Sequence, residues 1–228
     1  SEGSQIGRGE PVQDTARVLS RYVDGIMIRT FEQKEVEDFA RYGSVPVING
    51  LTDFCHPCQI LADLMTIREY KGSFDGLKMC FIGDGNNMMN SLIVGCLKVG
   101  MAVSVACPEG YRPPQEILDF AGAYDCFELT DDPLTAAKDA DVVITDVWTS
   151  MGQEEERAAR EKAFAGYCVD DRIMAAAKPD AIVQHCLPAH RGEEITEAVF
   201  EANAAPIFDE AENRLHAQKA VMVMLMKD

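Results

Sequence analysis

The sequence lacks the features that would place it in a membrane or on nucleic acid. Its 228 residues contain no apolar run close to the ~20 residues of a membrane-spanning helix, and no signal segment opens the chain. Basic residues are scarce, since 21 Lys and Arg stand against 38 Asp and Glu, a formal net charge of −17. Because this surplus of negative charge repels polyanions, we expect neither nucleic acid nor an anionic membrane as a partner.

The chain also lacks an initiator methionine, an internal repeat and a low-complexity segment. Its start, SEGSQIGRGEP, is typical of the interior of a longer sequence, so we expect residues upstream of Ser1. The eight cysteines are scattered, and several lie in apolar runs such as KMCFIG. In a chain of this length without a secretory signal, they predict reduced thiols, core packing and a cytoplasmic location.

Short β-prone runs alternate with helical patterns along the chain. The predicted strands are 25–29, 45–49, 77–83, 102–107, 141–146, 181–186 and 206–210. Apolar spacing of three and four residues predicts helices at 11–22, 32–42, 56–70, 87–99, 113–122, 154–164, 170–177 and 210–226. This alternation predicts an α/β fold whose parallel sheets are covered by helices on both faces.

A polar, glycine-containing turn at 68–78 is the most plausible domain boundary. We therefore predict two Rossmann-like lobes, each a parallel sheet flanked by helices, joined by the long helix that ends near residue 70. Residues 1–69 form the first lobe and residues 70–209 the second. The C-terminal helix, 210–228, is expected to pack back on the first lobe.

Distinctive polar segments follow the predicted strands where each strand ends. They are Arg29 and the segments LTDFCHPCQ, GDGNN, DVWTSMGQEEE and HCLPAHRG. Ligands of open parallel sheets bind beyond the carboxyl ends of the strands, so these segments predict a single concave site.

The segment IGDGNN, residues 82–87, has two interpretations. Its G-x-G pattern resembles a dinucleotide fingerprint, but Met88 stands where the third small residue belongs, and the next strand ends in Cys107 rather than a carboxylate. A dinucleotide-dependent oxidoreductase is therefore the competing hypothesis. The alternative is a glycine turn in which Asn86 or Asn87 caps the helix, while an asparagine amide contacts a ligand.

The cysteine-containing segments also leave alternatives open. The segment CHPC, residues 55–58, suggests zinc or redox chemistry, but the sequence has no second ligand pair at suitable spacing. The alternative hypothesis is that His56 and Gln59 lie in the first turn of a helix and face an anion at its N-terminus. Four roles are open for Cys186 in the segment HCLPAHRG: a metal ligand, a nucleophile, a core thiol, or part of a pocket for a small charged substrate. Asp146, at a strand end, is suited to accept an ammonium group.

Taken together, these segments resemble the ornithine carbamoyltransferase family. The resemblance covers essentially the whole chain, with HPCQ, IGDGNN, DVWTSMGQEEE, HCLPAHRGEEIT and FDEAENRLHAQKA in order. The SMG and HCLP segments are specific to the ornithine branch. The family's Ser-Thr-Arg-Thr phosphate-binding segment would lie upstream of Ser1, which makes an inactive fragment one alternative. Transfer to another amine such as putrescine is a second.

The resemblance implies that ornithine attacks carbamoyl phosphate through its δ-amine to give citrulline and phosphate, without a cofactor, metal or covalent enzyme intermediate. It implies a role in arginine metabolism, small-molecule substrates, and a homotrimer or a multiple of trimers.

The resemblance also assigns residues to the site. The implied catalytic residues are Arg29, His56, Asp146 and Cys186. The implied carbamoyl-phosphate-binding residues are Arg29, His56, Gln59, Cys186, Leu187 and Arg214, and the implied ornithine-binding residues are Asn87, Asp146, Ser150 and Met151. Cys186 is then a substrate-lining residue rather than an attacking thiolate, while His190 and Arg191 organise the turn.

Overall fold

The computed structural model describes residues 9–149 and 154–226 and confirms the α/β fold class. The first part of the chain forms a two-stranded parallel sheet flanked by helices. Its elements are α1 (Val12–Leu19), β1 (Ile26–Arg29), α2 (Gln33–Tyr42) and β2 (Val47–Leu51). Because the two strands run parallel, β1 and β2 end at the same edge of the sheet, where Arg29 and Leu51 are paired.

The second sheet contains five parallel strands in the order β5-β4-β3-β6-β7. They are β3 (Lys78–Ile82), β4 (Ala102–Ala106), β5 (Phe127–Thr130), β6 (Val142–Thr145) and β7 (Ile182–His185). The chain moves outward from β3 to β5 and then returns to the other side of β3. The strand order therefore reverses between β3 and β6, and loops that leave the two strands diverge to form a crevice.

Helices cover both faces of this sheet. They are α4 (Asn87–Lys98), α5 (Gln115–Ala121), α6 (Pro133–Ala137), α7 (Arg157–Ala163), α8 (Asp171–Ala176) and α9 (Glu197–Ala202), with a short 3₁₀ turn at Glu154–Glu156. Side chains of β3 alternate between two cores: Met79 and Phe81 pack in a cluster with α4, whereas Cys80 and Ile82 pack with Phe164. This double burial explains why the central strands are continuously apolar.

Two long helices, α3 (Pro57–Lys71) and α10 (Ala204–Met226), lie between the sheets and pack along each other. Helix α10 also contacts β7. Polar side chains join the two helices: the buried Asn213 Nδ2 donates to the buried Thr66 Oγ1 at 2.9 Å and to the exposed Glu69 Oε2 at 2.6 Å. In the ranges that the structure describes, no helix has the length and apolar character needed to cross a bilayer.

The predicted strand at 206–210 is wrong, because these residues lie in the first turns of α10. Pro206 occupies the third position of the helix, where a backbone N–H has no intrahelical partner in any case. Ile207, Glu210, Asn213 and Ala217 are buried at a spacing of three and four residues, as one face of a helix requires.

Three short elements were not predicted. Strand β5 lies at the sheet edge and has no fully buried residue, so its apolar pattern is weak. Helices α6 and α9 are only five and six residues long, too short for a clear helical period. Their start signals were present, since Asp132 and Thr196 cap them through side-chain oxygens.

A buried ion pair connects the loop after β3 to α7. Arg160 Nη1 donates to Asp84 Oδ2 at 2.7 Å and to the Trp148 carbonyl oxygen at 3.1 Å. Both charged side chains are more than 90% buried. Burial raises the pKa of Asp84, and the adjacent guanidinium opposes that rise. Arg160 thus fixes the loops that leave β3 and β6, which form the crevice.

Replacing Arg160 with alanine should lower the free energy of unfolding by about 3 kcal/mol, because Asp84 would be left buried without a countercharge. Urea unfolding monitored by circular dichroism measures this change. Arg172→Ala is the matched control, since Arg172 forms an exposed ion pair with Asp170 and its loss should cost less than about 0.5 kcal/mol. Equal losses in the two variants would contradict a structural role for the buried pair.

Candidate active site

One cavity of about 190 Å³ lies where the carboxyl ends of both sheets meet α3 and α10. Eight of the ten residues implied by the resemblance line it: Arg29, His56, Gln59, Asn87, Asp146, Cys186, Leu187 and Arg214. The other two, Ser150 and Met151, lie outside the described residues. The structure therefore brings together segments that are separated by up to 185 positions in sequence, from Arg29 to Arg214.

The first side of the cavity is cationic. Arg29 ends β1, Arg214 lies on α10, and His56 immediately precedes α3. Burial and the two guanidinium groups lower the pKa of His56 to about 4, so its imidazole is neutral at pH 7. His56 Nδ1 and Arg214 Nε are buried without a hydrogen-bond partner among the described residues. Together with the N-terminus of the 15-residue α3, this side offers free donors to an anion.

A second part of the cavity lining is built around the Asp146 carboxylate at the end of β6. Asn86 Nδ2 donates to Asp146 Oδ2 at 2.9 Å, and Cys186 Sγ donates to Asp146 Oδ1 at 3.1 Å. Asp146 therefore connects the ends of β3, β6 and β7 at the point where the strand order reverses. Its oxygens form an acceptor-rich surface, which suits an ammonium group.

The two asparagines after β3 have separate roles. Asn86 Oδ1 accepts from the backbone N–H groups of Met88 and Met89 and so caps α4. Asn87 lines the cavity, and its Nδ2 donates to the Thr52 carbonyl oxygen at 2.7 Å. The residue pattern alone predicted both a cap and a ligand-facing amide without saying which asparagine was which, and the family resemblance assigned Asn87 to the ligand.

The Cys186 thiol is held in its protonated form. Burial raises its pKa well above the usual value, and the neighbouring Asp146 carboxylate raises it further. The thiol also donates a hydrogen bond to that carboxylate. A nucleophilic cysteine needs the opposite environment, with a nearby base or positive charge that lowers its pKa. This geometry supports a cavity-lining thiol.

The remaining polar residues of the HCLPAHRG segment organise the turn. His185 is buried, its Nδ1 accepts from the Leu187 N–H at 2.9 Å, and its Nε2 lies 3.1 Å from Glu194 Oε1. Arg191 pairs with Glu197 at 2.8 Å and with Glu201 at 2.7 Å. The hydrogen bond from Leu187 to His185 lies beside the cavity, and Leu187 itself adopts the left-handed region at a φ of 57°.

Metal coordination by the cysteine-containing segments would have to break existing hydrogen bonds. Potential ligand atoms of Asp146, His185 and Cys186 lie within 4.8 Å of one another. However, both His185 nitrogens are already engaged, and the Cys186 thiol retains its proton. The C-x-x-C thiols are also used as donors, Cys55 to Gln33 at 3.4 Å and Cys58 to the Asn49 carbonyl oxygen at 3.3 Å.

The protein itself fills the space above the G-x-G turn. The Gly85 N–H donates to the Tyr111 carbonyl oxygen at 2.8 Å. A side chain at Gly85 would come within 2.5 Å of the Pro113 nitrogen, so glycine is needed here for close backbone packing. In a dinucleotide site this glycine makes room for a pyrophosphate instead. The local geometry therefore disfavours the oxidoreductase hypothesis.

Sequence reasoning missed two buried carboxyl groups behind the cavity, Asp63 on α3 and Glu210 on α10. Both contact the Gln59 side chain. A signal for Asp63 existed, because it lies four residues after Gln59 and thus on the same face of α3. Glu210 gave no such signal, since its distance from Gln59 is set by how α10 packs on α3.

Comparison with known proteins agrees with this geometry. Two domain models of the aspartate/ornithine carbamoyltransferase family match the chain. Residues 1–69 match the carbamoyl-P binding domain, and residues 75–225 match the Asp/Orn binding domain. The ornithine carbamoyltransferase of Geobacter metallireducens is 59% identical over 229 residues, which cover 100% of this chain and 76% of that relative.

Solved structures show the same fold. The Pyrococcus furiosus ornithine carbamoyltransferase superimposes with a TM-score of 0.93 at 53% identity, covering 99% of this chain and 74% of that one. An anabolic ornithine carbamoyltransferase from Campylobacter jejuni gives a TM-score of 0.94 at 44% identity, covering 99% and 76%. With both domains matched and relatives this similar, the chain belongs to the aspartate/ornithine carbamoyltransferase family.

Proposed function

We propose that this protein transfers the carbamoyl group of carbamoyl phosphate to the δ-amine of L-ornithine, forming L-citrulline and phosphate. One observation carries the proposal: a single cavity is lined both by the guanidinium groups of Arg29 and Arg214 and by the Asp146 carboxylate. The relatives named ornithine carbamoyltransferase support the same activity. The reaction balances without a redox or metal cofactor.

Carbamoyl phosphate would bind on the cationic side. Arg29 and Arg214 offer guanidinium donors to the phosphate, as does the N-terminus of α3. The neutral His56 imidazole can donate one N–H to the carbamoyl oxygen, where negative charge develops during attack. One such donor is typically worth about 3 kcal/mol in the transition state. Gln59 and Leu187 complete the surroundings of the carbamoyl group in this proposal.

Ornithine would bind on the acceptor side, with its α-ammonium group toward Asp146 and with Asn87 as a further polar contact. Ser150 and Met151 belong to the proposed ornithine site through the family resemblance alone. The attacking δ-amine must be neutral, and the nearby guanidinium groups disfavour a second cation at that position. Cys186 would then line the space beside the nucleophile.

Orientation would supply much of the rate enhancement, since holding the amine against the carbamoyl carbon replaces a bimolecular encounter. Closure of the 146–156 segment over ornithine remains a prediction, because residues 150–153 lie outside the described ranges. We also propose that residues 1–69 and 70–209 act as two lobes with the C-terminal helix on the first. The extensive packing of α10 on α3 supports that arrangement.

A homotrimer, or a multiple of trimers, in the cytoplasm completes the proposal. Phe31 lines the cavity yet is 64% exposed, and Met27 on β1 is 66% exposed, so apolar surface beside the site is available to another subunit. The eight cysteines carry free thiols, as a reducing compartment maintains them.

Citrulline formation from ornithine and carbamoyl phosphate tests the proposed activity. The assay should compare this chain with the full polypeptide that contains it, because the chain spans 76% of the length of its Geobacter metallireducens relative. We expect ornithine to be used and putrescine to compete poorly. Carbamoyl phosphate with norvaline should raise the melting temperature, whereas NAD(P) should not. A full polypeptide that forms no citrulline, or that prefers putrescine, would contradict the proposal.

Two substitutions should separate the substrate sites. Cys186→Ser should lower kcat/KM for ornithine by about tenfold (about 1.4 kcal/mol) and weaken carbamoyl-phosphate binding less. Arg29→Ala should weaken carbamoyl-phosphate binding more than ornithine use, because it removes a phosphate partner. Steady-state kinetics with each substrate varied measures both effects, with Arg172→Ala as the surface control. Equal effects of the two substitutions on both substrates would refute the assignment.

The state of the Cys186 thiol can be tested by alkylation. At pH 7.5, iodoacetamide should modify the exposed Cys126 at least about tenfold faster than Cys186, since the thiolate is the reactive form and the raised pKa suppresses it. Mass spectrometry of peptides from a time course gives both rates in one sample. If Cys186 reacted first, it would be an activated thiolate and the proposed lining role would be wrong.

A further inference from the structure

A buried carboxyl pair lies directly behind the cavity and contacts one of its lining residues. Asp63 on α3 is 0% exposed and Glu210 on α10 is 1% exposed. Gln59 Nε2 donates to Asp63 Oδ1 at 2.8 Å and to Glu210 Oε1 at 2.9 Å. Both hydrogens of one amide group are thus accepted by two acidic side chains from different helices.

The pair shares a proton at neutral pH. Burial raises the pKa of Asp63 to about 7, and burial together with the neighbouring Asp63 raises the pKa of Glu210 well above its usual value. Two carboxyl groups this close in a buried site cannot both ionise freely, so they share a proton. A single shared proton occupies one oxygen of the pair and leaves acceptors for Gln59.

This arrangement permits one orientation of the Gln59 amide. If the amide were reversed, its carbonyl oxygen would face two carboxyl groups that have one proton between them, and at least one oxygen–oxygen contact would lack a hydrogen. With the NH₂ group toward the carboxyl pair, Gln59 Oε1 is left without a partner in the described part of the chain, although it is buried. Gln59 lines the cavity, where a bound donor molecule can supply the missing hydrogen.

We infer that Asp63 and Glu210 are positioning residues that present the Gln59 carbonyl oxygen to the amino group of the carbamoyl donor and so select against acyl phosphates that lack an N–H. The inference rests on the proposed function, which supplies the carbamoyl donor. Acetyl phosphate has nearly the same shape, with a methyl group in place of the amino group. If acetyl phosphate bound, Gln59 Oε1 would stay buried without a hydrogen-bond donor. An unpaired buried polar group costs free energy, so the site would reject this molecule despite its similar shape.

Glu210 has a second contact that makes its substitution informative. Its Oε2 accepts from the His185 backbone N–H at 2.9 Å, and this donor cannot be removed by a side-chain change. In the Glu210→Gln variant, the new amide oxygen must accept the hydrogen bond from the His185 backbone N–H. The new NH₂ group therefore faces Gln59. Gln59 must then turn its own oxygen away from the cavity and its NH₂ group toward the substrate.

Asp63→Asn is the matched variant, because it introduces the same chemical change without reversing Gln59. The new amide oxygen can still accept from Gln59, and the new NH₂ group can replace the shared proton between position 63 and Glu210. The two variants each exchange one buried carboxyl group for an amide. Because only position 210 also accepts the His185 N–H, the two variants should differ in whether the Gln59 oxygen remains directed into the cavity.

Calorimetric titration of the full polypeptide with carbamoyl phosphate and with acetyl phosphate tests the inference without requiring turnover. We expect the wild-type protein to bind carbamoyl phosphate at least about tenfold more tightly than acetyl phosphate. Glu210→Gln should reduce this ratio about fivefold or more, mainly by weakening carbamoyl-phosphate binding. Asp63→Asn should change the ratio less than about threefold.

The outcomes distinguish the inference from the function on which it rests. A wild-type protein that binds neither phosphate would overturn the proposed donor. The positioning role alone would be overturned if the ratio of carbamoyl-phosphate to acetyl-phosphate affinity were unchanged in Glu210→Gln. It would also be overturned if the ratio fell equally in both variants. If Glu210→Gln fails to fold, the orientation of Gln59 can be tested in the wild-type protein by NMR. The signals of the Gln59 NH₂ group are assigned by comparison with Gln59→Met, and the exchange of their hydrogens with solvent is measured. Protected hydrogens support the orientation, and rapid exchange with solvent contradicts it.

Discussion

The packing of α10 along α3 is the contact on which the site depends. It joins the carboxyl edge of the two-stranded sheet to that of the five-stranded sheet, through hydrogen bonds between Asn213 and Thr66 and between Gln59 and Glu210. Side chains from both edges can then face the same cavity. Polar contacts suit such a buried interface because their geometry fixes the alignment of the helices as well as holding them together.

The distribution of charge inside the site contrasts with that of the whole chain. A protein with a net charge of −17 places Arg29 and Arg214 beside one cavity, and these guanidinium groups help to keep His56 neutral. The Asp146 carboxylate also lines the cavity, and burial together with this carboxylate raises the pKa of Cys186 and keeps its thiol protonated. Neighbouring groups therefore set the chemical role of each titratable residue, and residue type alone does not determine it.

Particular residues show how far sequence reasoning reaches. The central strands were predicted because their residues are apolar on both faces, and α3 was predicted from apolar residues spaced three and four positions apart. The edge strand β5 and the short helix α9 carried weaker patterns, since few of their residues are buried. Residues 206–210 were assigned to a strand because a short apolar run does not distinguish strand from helix.

The sequence by itself determined the α/β alternation, the polar segments at strand ends and the family resemblance, because these depend on local periodicity and on residues adjacent in the chain. Only the tertiary structure decided that Asn86 caps α4, that Cys186 donates to Asp146, and that Glu210 meets Gln59. Those contacts join residues up to 151 positions apart. They depend on how helices pack and strands are ordered, which no local pattern encodes.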